Sequence, residues 1–288
     1  MARDRNEILM QNIIECKNIT HSYGKKIVYR DLNFSVKKGS VTGLLGKNGT
    51  GKSTLINILT GNIKPDIGEC FMFQKPICKL NGSDRAKIGL LYEGYVCYDF
   101  LTVRQIEKFY HAFYGSRWKR DLYYELVDKL NVSYDQRLST LSCGQRSQVV
   151  LGLIFAQDPE ILILDDYSMG IDAGYRKLFG EYLLEFIKDG RKSVFLTTHL
   201  ANDLEDIIDD LIILQNDKPP FIGTLDSFKA NFKGYEVDIN FDDSCLDATS
   251  KVIMKDKKRI FGFFKQDVKG VELDLNLEDK FLGLTGRY

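Results

Sequence analysis

A chain of 288 residues with 44% hydrophobic content is long enough to bury one large core, or a core with an appendage, without disulfide support. Lys plus Arg and Asp plus Glu balance at 40 each, which excludes a global basic footprint for nucleic acid and an acidic solvating tail. The longest apolar run, VVLGLIFA at 149–156, falls far short of the roughly 20 residues that cross a bilayer, so no membrane span is expected.

The opening residues, MARDRNEILM, begin with charges and carry no apolar core of signal-peptide length, so the protein is expected to stay where it is made. Six cysteines, at 16, 70, 78, 97, 143 and 245, show no C-x-x-C spacing and read as scattered reduced thiols. Residues 27–36 (IVYRDLNFSV) and 69–73 (ECFMF) read as turn-linked strands of an antiparallel flank. VTGLLG (41–46), ILILDD (161–166) and SVFLTT (193–198) are short apolar or β-branched runs, each followed by a helix-length segment. That alternation predicts an α/β fold with a mostly parallel sheet covered by helices on both faces. Between 103 and 157, VRQIEKFYHAFY and LYYELVDKL space apolar residues by three and four, which predicts a helical insertion. From 235 onward EVDINF, KRIFGFF and VELDLNL alternate on a two-residue period before LEDKFLGLTGR, so residues 232–288 are expected to form a small accessory unit.

GKNGTGKST at 46–54 fits the phosphate-loop pattern G-x-x-x-x-G-K-[ST], with Gly46, Gly51, Lys52 and Ser53 in the fixed places. A strand enters and a helix-compatible segment leaves, the arrangement that turns backbone N–H groups and a helix N-terminus toward phosphate oxygens. The candidate nucleotide contacts are therefore Gly46, Lys47, Asn48, Gly49, Thr50, Gly51, Lys52, Ser53 and Thr54. Lys52 would place its ammonium on the β- and γ-phosphates of ATP, and the Ser53 hydroxyl would coordinate Mg²⁺. The alternative is a glycine-rich turn that binds nothing. ILILDD adds an acid at the end of an apolar strand, so Asp165 is the candidate second protein ligand of the metal. Because side chains alternate along a strand, Asp166 is expected to point elsewhere, toward the γ-phosphate and an attacking water, or simply into solvent.

LSCGQRSQ at 141–148 makes the pattern specific. With it the chain resembles the nucleotide-binding subunit of an ATP-binding-cassette (ABC) transporter, whose signature reads LSGGQ: Ser142, Gly144 and Gln145 match, and Cys143 replaces a glycine. Phosphate loop, helical insertion, signature, acid-ended strand and a later histidine follow in the family's order. The resemblance implies a phosphate-loop NTPase core of the ABC-ATPase type over 1–231. Its helical subdomain would span about 96–157, with an antiparallel β flank and a small α+β appendage over 232–288. It also implies ATP and Mg²⁺ as cofactors and a second ATP-binding subunit, read as a homodimer, whose signature helix closes over the ATP held by the first. A multi-spanning permease on a separate chain would hold the protein at the cytoplasmic face of the cell membrane, and nucleic acid is not an expected partner. Taken alone, Ser142 would pass as an ordinary helix N-cap.

Three positions carry over singly. Tyr23, in HSYGKK, falls where the family stacks an aromatic on adenine, the alternative being a packed core tyrosine. His199, in LTTHL, matches the family's switch histidine at the γ-phosphate, whereas His21 and His111 read as surface or packing residues. Asp172, in MGID, matches an acid that communicates between the two nucleotide sites, or caps the helix that follows.

The departures matter as much. Where most of the family has the general base Glu, this chain has Asp166, and a carboxylate withdrawn by roughly 1.5 Å predicts slow turnover. Glu93 stands where the family usually has a metal-contacting Gln, and would keep that contact or partly replace the base. The closing LEDKFLGLTGR resembles the end of drug-exporter ATPase subunits, which favours export. A competing reading is a nucleotide-gated, hydrolysis-poor switch on a membrane protein. A soluble relative acting on ribosomes or DNA is a third, but the long helical arms and basic tracts of such proteins are not evident.

Overall fold

The computed structural model describes residues 11–92, 98–166, 173–197, 205–216, 218–244, 246 and 248–286. It opens on a hairpin, in which β1 (Asn12–Tyr23) and β2 (Lys26–Lys37) pair antiparallel around a two-residue turn. Gly24 takes a φ of 60° there, the left-handed conformation that such turns need and glycine adopts freely. Next come β3 (Val41–Gly46), helix α1 (Lys52–Leu59), β4 (Ile67–Met72), β5 (Lys75–Pro76), the short α2 (Gly82–Arg85) and β6 (Ile88–Leu91). Helices α3 (Val103–Tyr114), α4 (Arg120–Asp128) and α5 (Cys143–Ala156) interrupt the strands. The chain resumes with β7 (Ile161–Leu164), α6 (Ala173–Ile187), β8 (Ser193–Thr197), β9 (Asp210–Gln215), β10 (Lys218–Thr224) and α7 (Leu225–Asn231). It closes with β11 (Lys233–Asp238), β12 (Ala248–Ile253), β13 (Lys257–Gly262), β14 (Val271–Glu272) and α8 (Leu277–Thr285).

The central sheet has the order β10-β9-β3-β8-β7-β6, all parallel except β10, which pairs antiparallel with β9. Every residue of β3, β7 and β8 is buried, the pattern of strands covered on both faces. Alternation sorts them: Val41, Leu45, Leu162 and Leu164 enter a core shared with α3–α6. Leu44, Ile161, Ile163 and Phe195 enter the opposite core with Leu55 and Ile56 of α1 and with Ile14, Val36 and Met72. Those last three belong to the antiparallel sheet β2-β1-β4-β5. Helices therefore lie on both faces, as expected, but the face that carries α1 is covered by a second sheet as well, because the amphipathic hairpin strands bury their own apolar side there.

Local signals start the helices of the insertion. Thr102 and Gln105 form a reciprocal capping box at α3, and Ser142 and Gln145 form another at α5. Between them Glu107 of α3, 1% exposed, accepts hydrogen bonds from Trp118 Nε1 (2.8 Å) and Arg120 Nε (3.0 Å). The C-terminal strands make an antiparallel sheet, β12-β13-β11-β14. Phe228, Phe232 and Phe261, with Leu277 and Leu284 of α8, join the core on the helix side of the central sheet.

Replacing Glu107 with Leu leaves an indole N–H and a guanidinium short of an acceptor, so unfolding free energy should fall by about 1–3 kcal/mol. Trp118 is the chain's one tryptophan, so its emission reports the insertion directly in a urea titration. An unchanged midpoint and emission maximum would contradict this account of the insertion.

Candidate functional site

Parallel strands β3, β8 and β7 are neighbours and end at the same edge of the sheet: Leu44 pairs with Thr197, and Leu196 with Leu164. The segments that leave β3 and β7 therefore meet in front of the end of β8, at the carboxyl edge where open α/β sheets bind ligands. A cavity of about 560 Å³ lies there, lined by Tyr23, Lys26, Val28, Asn48, Gly49, Gly51, Lys52, Ser53, Thr54, Asp165, Asp166 and Thr197.

The glycine-rich loop is shaped by contacts a side chain would break. A Cβ on Gly46 would lie 2.5 Å from Thr50 Oγ1, and one on Gly51 would lie 2.4 Å from Val28 Cγ1 and 2.6 Å from the Tyr29 hydroxyl. Gly51 also takes a φ of 101° as the N-cap of α1, a conformation closed to most L residues. Inside the turn Thr50 donates through its hydroxyl to the Lys47 carbonyl at 2.8 Å. Lys52, 9% exposed, donates from Nζ to the carbonyls of Gly46 at 2.7 Å and Lys47 at 3.2 Å. The N-terminus of α1 opens on the cavity, since Gly51 to Thr54 all line it.

The two carboxylates sit across from the loop. Asp165 and Asp166 are 4% and 7% exposed, so neither is a solvated strand-end acid. Thr197 joins them: its hydroxyl donates to Asp165 Oδ1 at 2.8 Å and accepts the N–H of Asp166 at 2.8 Å. β7 ends at Leu164 and Asp166 adopts a left-handed φ of 44°, so the strand-alternation argument does not apply to Asp166; both acids line one cavity. Ser53 and Asp165 bring hard oxygen donors of the kind Mg²⁺ takes. Among the described residues no group of three or more His, Cys, Asp or Glu is placed to hold a metal by itself.

Tyr23 lines the cavity with its ring 52% exposed, rather than packed in the core. Behind it His21 is buried and meets the ring edge-on, with centroids 4.9 Å apart. His111 Nδ1 lies 2.9 Å from Arg120 Nη2, within the insertion. Ser142, Gly144 and Gln145 sit at the start of α5, where Ser142 caps the helix by accepting from the Gln145 N–H at 3.2 Å; none of the three lines this cavity. Glu93, Asp172 and His199 lie outside the described residues.

Sequence reading missed Lys26, Tyr29 and Thr197. Tyr29 donates its hydroxyl to the Gly51 carbonyl from β2, and burial pushes its phenol well above the ordinary value, so it stays a protonated donor. Thr197 had one usable signal: it ends an apolar strand two residues before His199. Lys26 and Tyr29 had none, because only the folding of the hairpin over the loop brings them near.

The sequence profile of the ABC transporter family matches residues 29–168. The Nod factor export ATP-binding protein I of Bradyrhizobium diazoefficiens is 30% identical over 207 residues, which cover 70% of this chain and 67% of that protein. The probable sulfate/thiosulfate import ATP-binding protein CysA of Chlorella vulgaris is 29% identical over 233 residues, covering 76% and 97% respectively. A solved ATP-binding subunit of an ABC transporter superimposes with a TM-score of 0.67 over 76% of this chain and 92% of that one; at 24% identity, this is a likeness of fold.

Tyr29→Phe removes the hydroxyl that pins Gly51 while keeping the ring in the core. ADP affinity should drop by about fivefold, roughly the worth of one net hydrogen bond, with the circular dichroism spectrum unchanged. Unaltered affinity in calorimetry would show that Tyr29 does not support the loop.

Proposed function

The chain belongs to the family of ABC transporter ATP-binding proteins, and we propose that it is the Mg²⁺-ATP-hydrolysing subunit of an exporter, driving a permease carried on a separate chain. The observation that carries this reading is the meeting of Lys52, Ser53, Asp165 and Asp166 around one cavity that also holds the Tyr23 ring. In it Lys52 and the amides at the start of α1 take the β- and γ-phosphates, and Tyr23 takes the adenine. Ser53 and Asp165 would hold a Mg²⁺ ion, and that ion would supply positive charge to the phosphates. Asp166 orients the attacking water and accepts its proton.

The signature stands apart from this cavity in its own chain, which supports a second, identical copy turned head to tail. The capped N-terminus of α5 on one protomer then faces the triphosphate held by the other. Glu93, His199 and Asp172 belong to the same proposal, as metal contact or auxiliary base, γ-phosphate contact and link between the two sites. Among the described residues no helix is long and apolar enough to cross a membrane, so the transport path is assigned to the partner. The aromatic patch on the insertion supports a docking surface for that partner: Phe100 and Phe113 are exposed, and Tyr98 and Phe109 connect them through edge-on ring contacts of 5.0–6.1 Å. Relatives named for export and for import both occur, and export is favoured here by LEDKFLGLTGR.

One observation favours a second reading. Asp is a methylene shorter than Glu, and the Asp166 backbone is held by Thr197, so slow turnover would leave ATP acting mainly as a closing switch.

Steady-state ATPase assays on the chain reconstituted with its permease decide between them. Slow but measurable Mg²⁺-ATP turnover is expected, and Asp166→Asn should abolish it while ATP binding persists. An unchanged rate in Asp166→Asn would remove Asp166 as the base, and absent turnover in the unmodified complex would favour the switch.

A further inference from the structure

The hairpin that carries Tyr23 also carries a cation into the same cavity. Lys26 is the register partner of Tyr23 across the two-residue turn, so the ring and the ammonium leave neighbouring strands at the same level. Lys26 Nζ lies 3.4 Å from the Gly49 carbonyl in the middle of the phosphate loop, and its side chain lines the cavity beside Tyr23, Asn48 and Gly49. A neutral carbonyl at that distance is a weak acceptor for an ammonium. Among the described residues no carboxylate is paired with it.

The end of the hairpin is anchored. Ser22 donates from its N–H and from its hydroxyl to Asp66 Oδ2, both at 2.8 Å, and these bonds hold the Asp66 carboxyl below its usual range. His21, one strand residue further back, packs its edge on the Tyr23 ring. Tyr23 and Lys26 are therefore presented by a fixed turn, and little ordering remains to be done when a ligand arrives.

We propose that Lys26 is a nucleotide-binding residue: its ammonium takes the phosphate nearest the ribose, between the base on Tyr23 and the terminal phosphates on Lys52. The proposal rests on reading the cavity as the nucleotide site. It makes the hairpin a two-point clamp, aromatic for the base and cationic for the first phosphate, which acts without the metal. Exchange of a long bond to a neutral carbonyl for one to a phosphate oxygen is the step that favours nucleotide over nucleoside.

Calorimetry on the full chain without Mg²⁺, with ADP and adenosine as ligands, tests it. Lys26→Gln should weaken ADP about three- to tenfold and leave adenosine within about twofold; Lys26→Arg should restore ADP binding. The dependence of ADP affinity on salt should also be shallower in Lys26→Gln. Where adenosine binds too weakly to fit, the Arg rescue and the salt slope decide. An unchanged ADP affinity, an equal loss for adenosine, or no rescue by Arg would overturn the assignment. Lys52→Ala separates the two levels: if it abolishes ADP binding while Lys26→Gln does not move it, only the role of Lys26 fails. If Lys52→Ala leaves ADP binding intact, the nucleotide-site reading itself fails.

Discussion

Lys52 is nine-tenths buried, its ammonium leans on the carbonyl oxygens of Gly46 and Lys47, and the site is arranged around keeping it at that place. Burying a charge is costly unless dipoles or an opposite charge meet it, and the loop's own carbonyls supply the dipoles. That is why the turn must be tight, why Gly46 and Gly51 tolerate no Cβ, and why Tyr29 reaches over from β2 to fix Gly51. A phosphate anion is a stronger acceptor than either carbonyl, so on the proposed reading nucleotide binding would be an exchange of partners by a cation already in position. The same logic extends to Lys26, whose weak bond is to Gly49 in the middle of the loop.

The second constraint is the common edge of β3, β8 and β7. Because β8 lies between the other two, Thr197 stands between the loop and the acids, bonded to the carboxylate of Asp165 and to the backbone of Asp166. One hydroxyl thus bonds both the proposed metal-binding acid and the backbone of the proposed base. Asp166, with its left-handed backbone, lines the same cavity as Asp165. Pre-positioned charges of this kind act on a phosphoryl group with little reorganisation. Closure by a second copy would complete the charge around the γ-phosphate and couple the state of the nucleotide to the aromatic surface of the insertion.

Much of this was legible from residue order. VTGLLG gave the bounds of β3, and ILIL those of β7, because a strand buried on both faces reads as an uninterrupted apolar run; the two aspartates of ILILDD lie past the strand end, and SVFLT matches β8. The loop was legible because its chemistry is local in sequence. What was not legible depends on register or on backbone conformation. Lys26 and Tyr29 reach the loop only because the β1–β2 hairpin folds over it, Thr197 reaches the site through the pairing of β8 with β3, and the left-handed turn at Asp166 lies beyond the strand to which alternation applies. VELDLNL kept its two-residue period yet forms a strand only at Val271–Glu272, since Leu273 and Leu275 pack against the core and Leu277 already begins α8. ATSKVI, with no clear apolar face, gave no signal and forms β12.

The central claim is that one cavity grips a triphosphate through a lysine released from its own loop. A crystal structure of the chain with Mg²⁺ and a non-hydrolysable ATP analogue tests it most directly. The account predicts Lys52 Nζ on the phosphates and away from the Gly46 carbonyl, the metal between Ser53 and Asp165, and the base against Tyr23. A nucleotide bound elsewhere, or one bound here with Lys52 still on the Gly46 carbonyl, would contradict it.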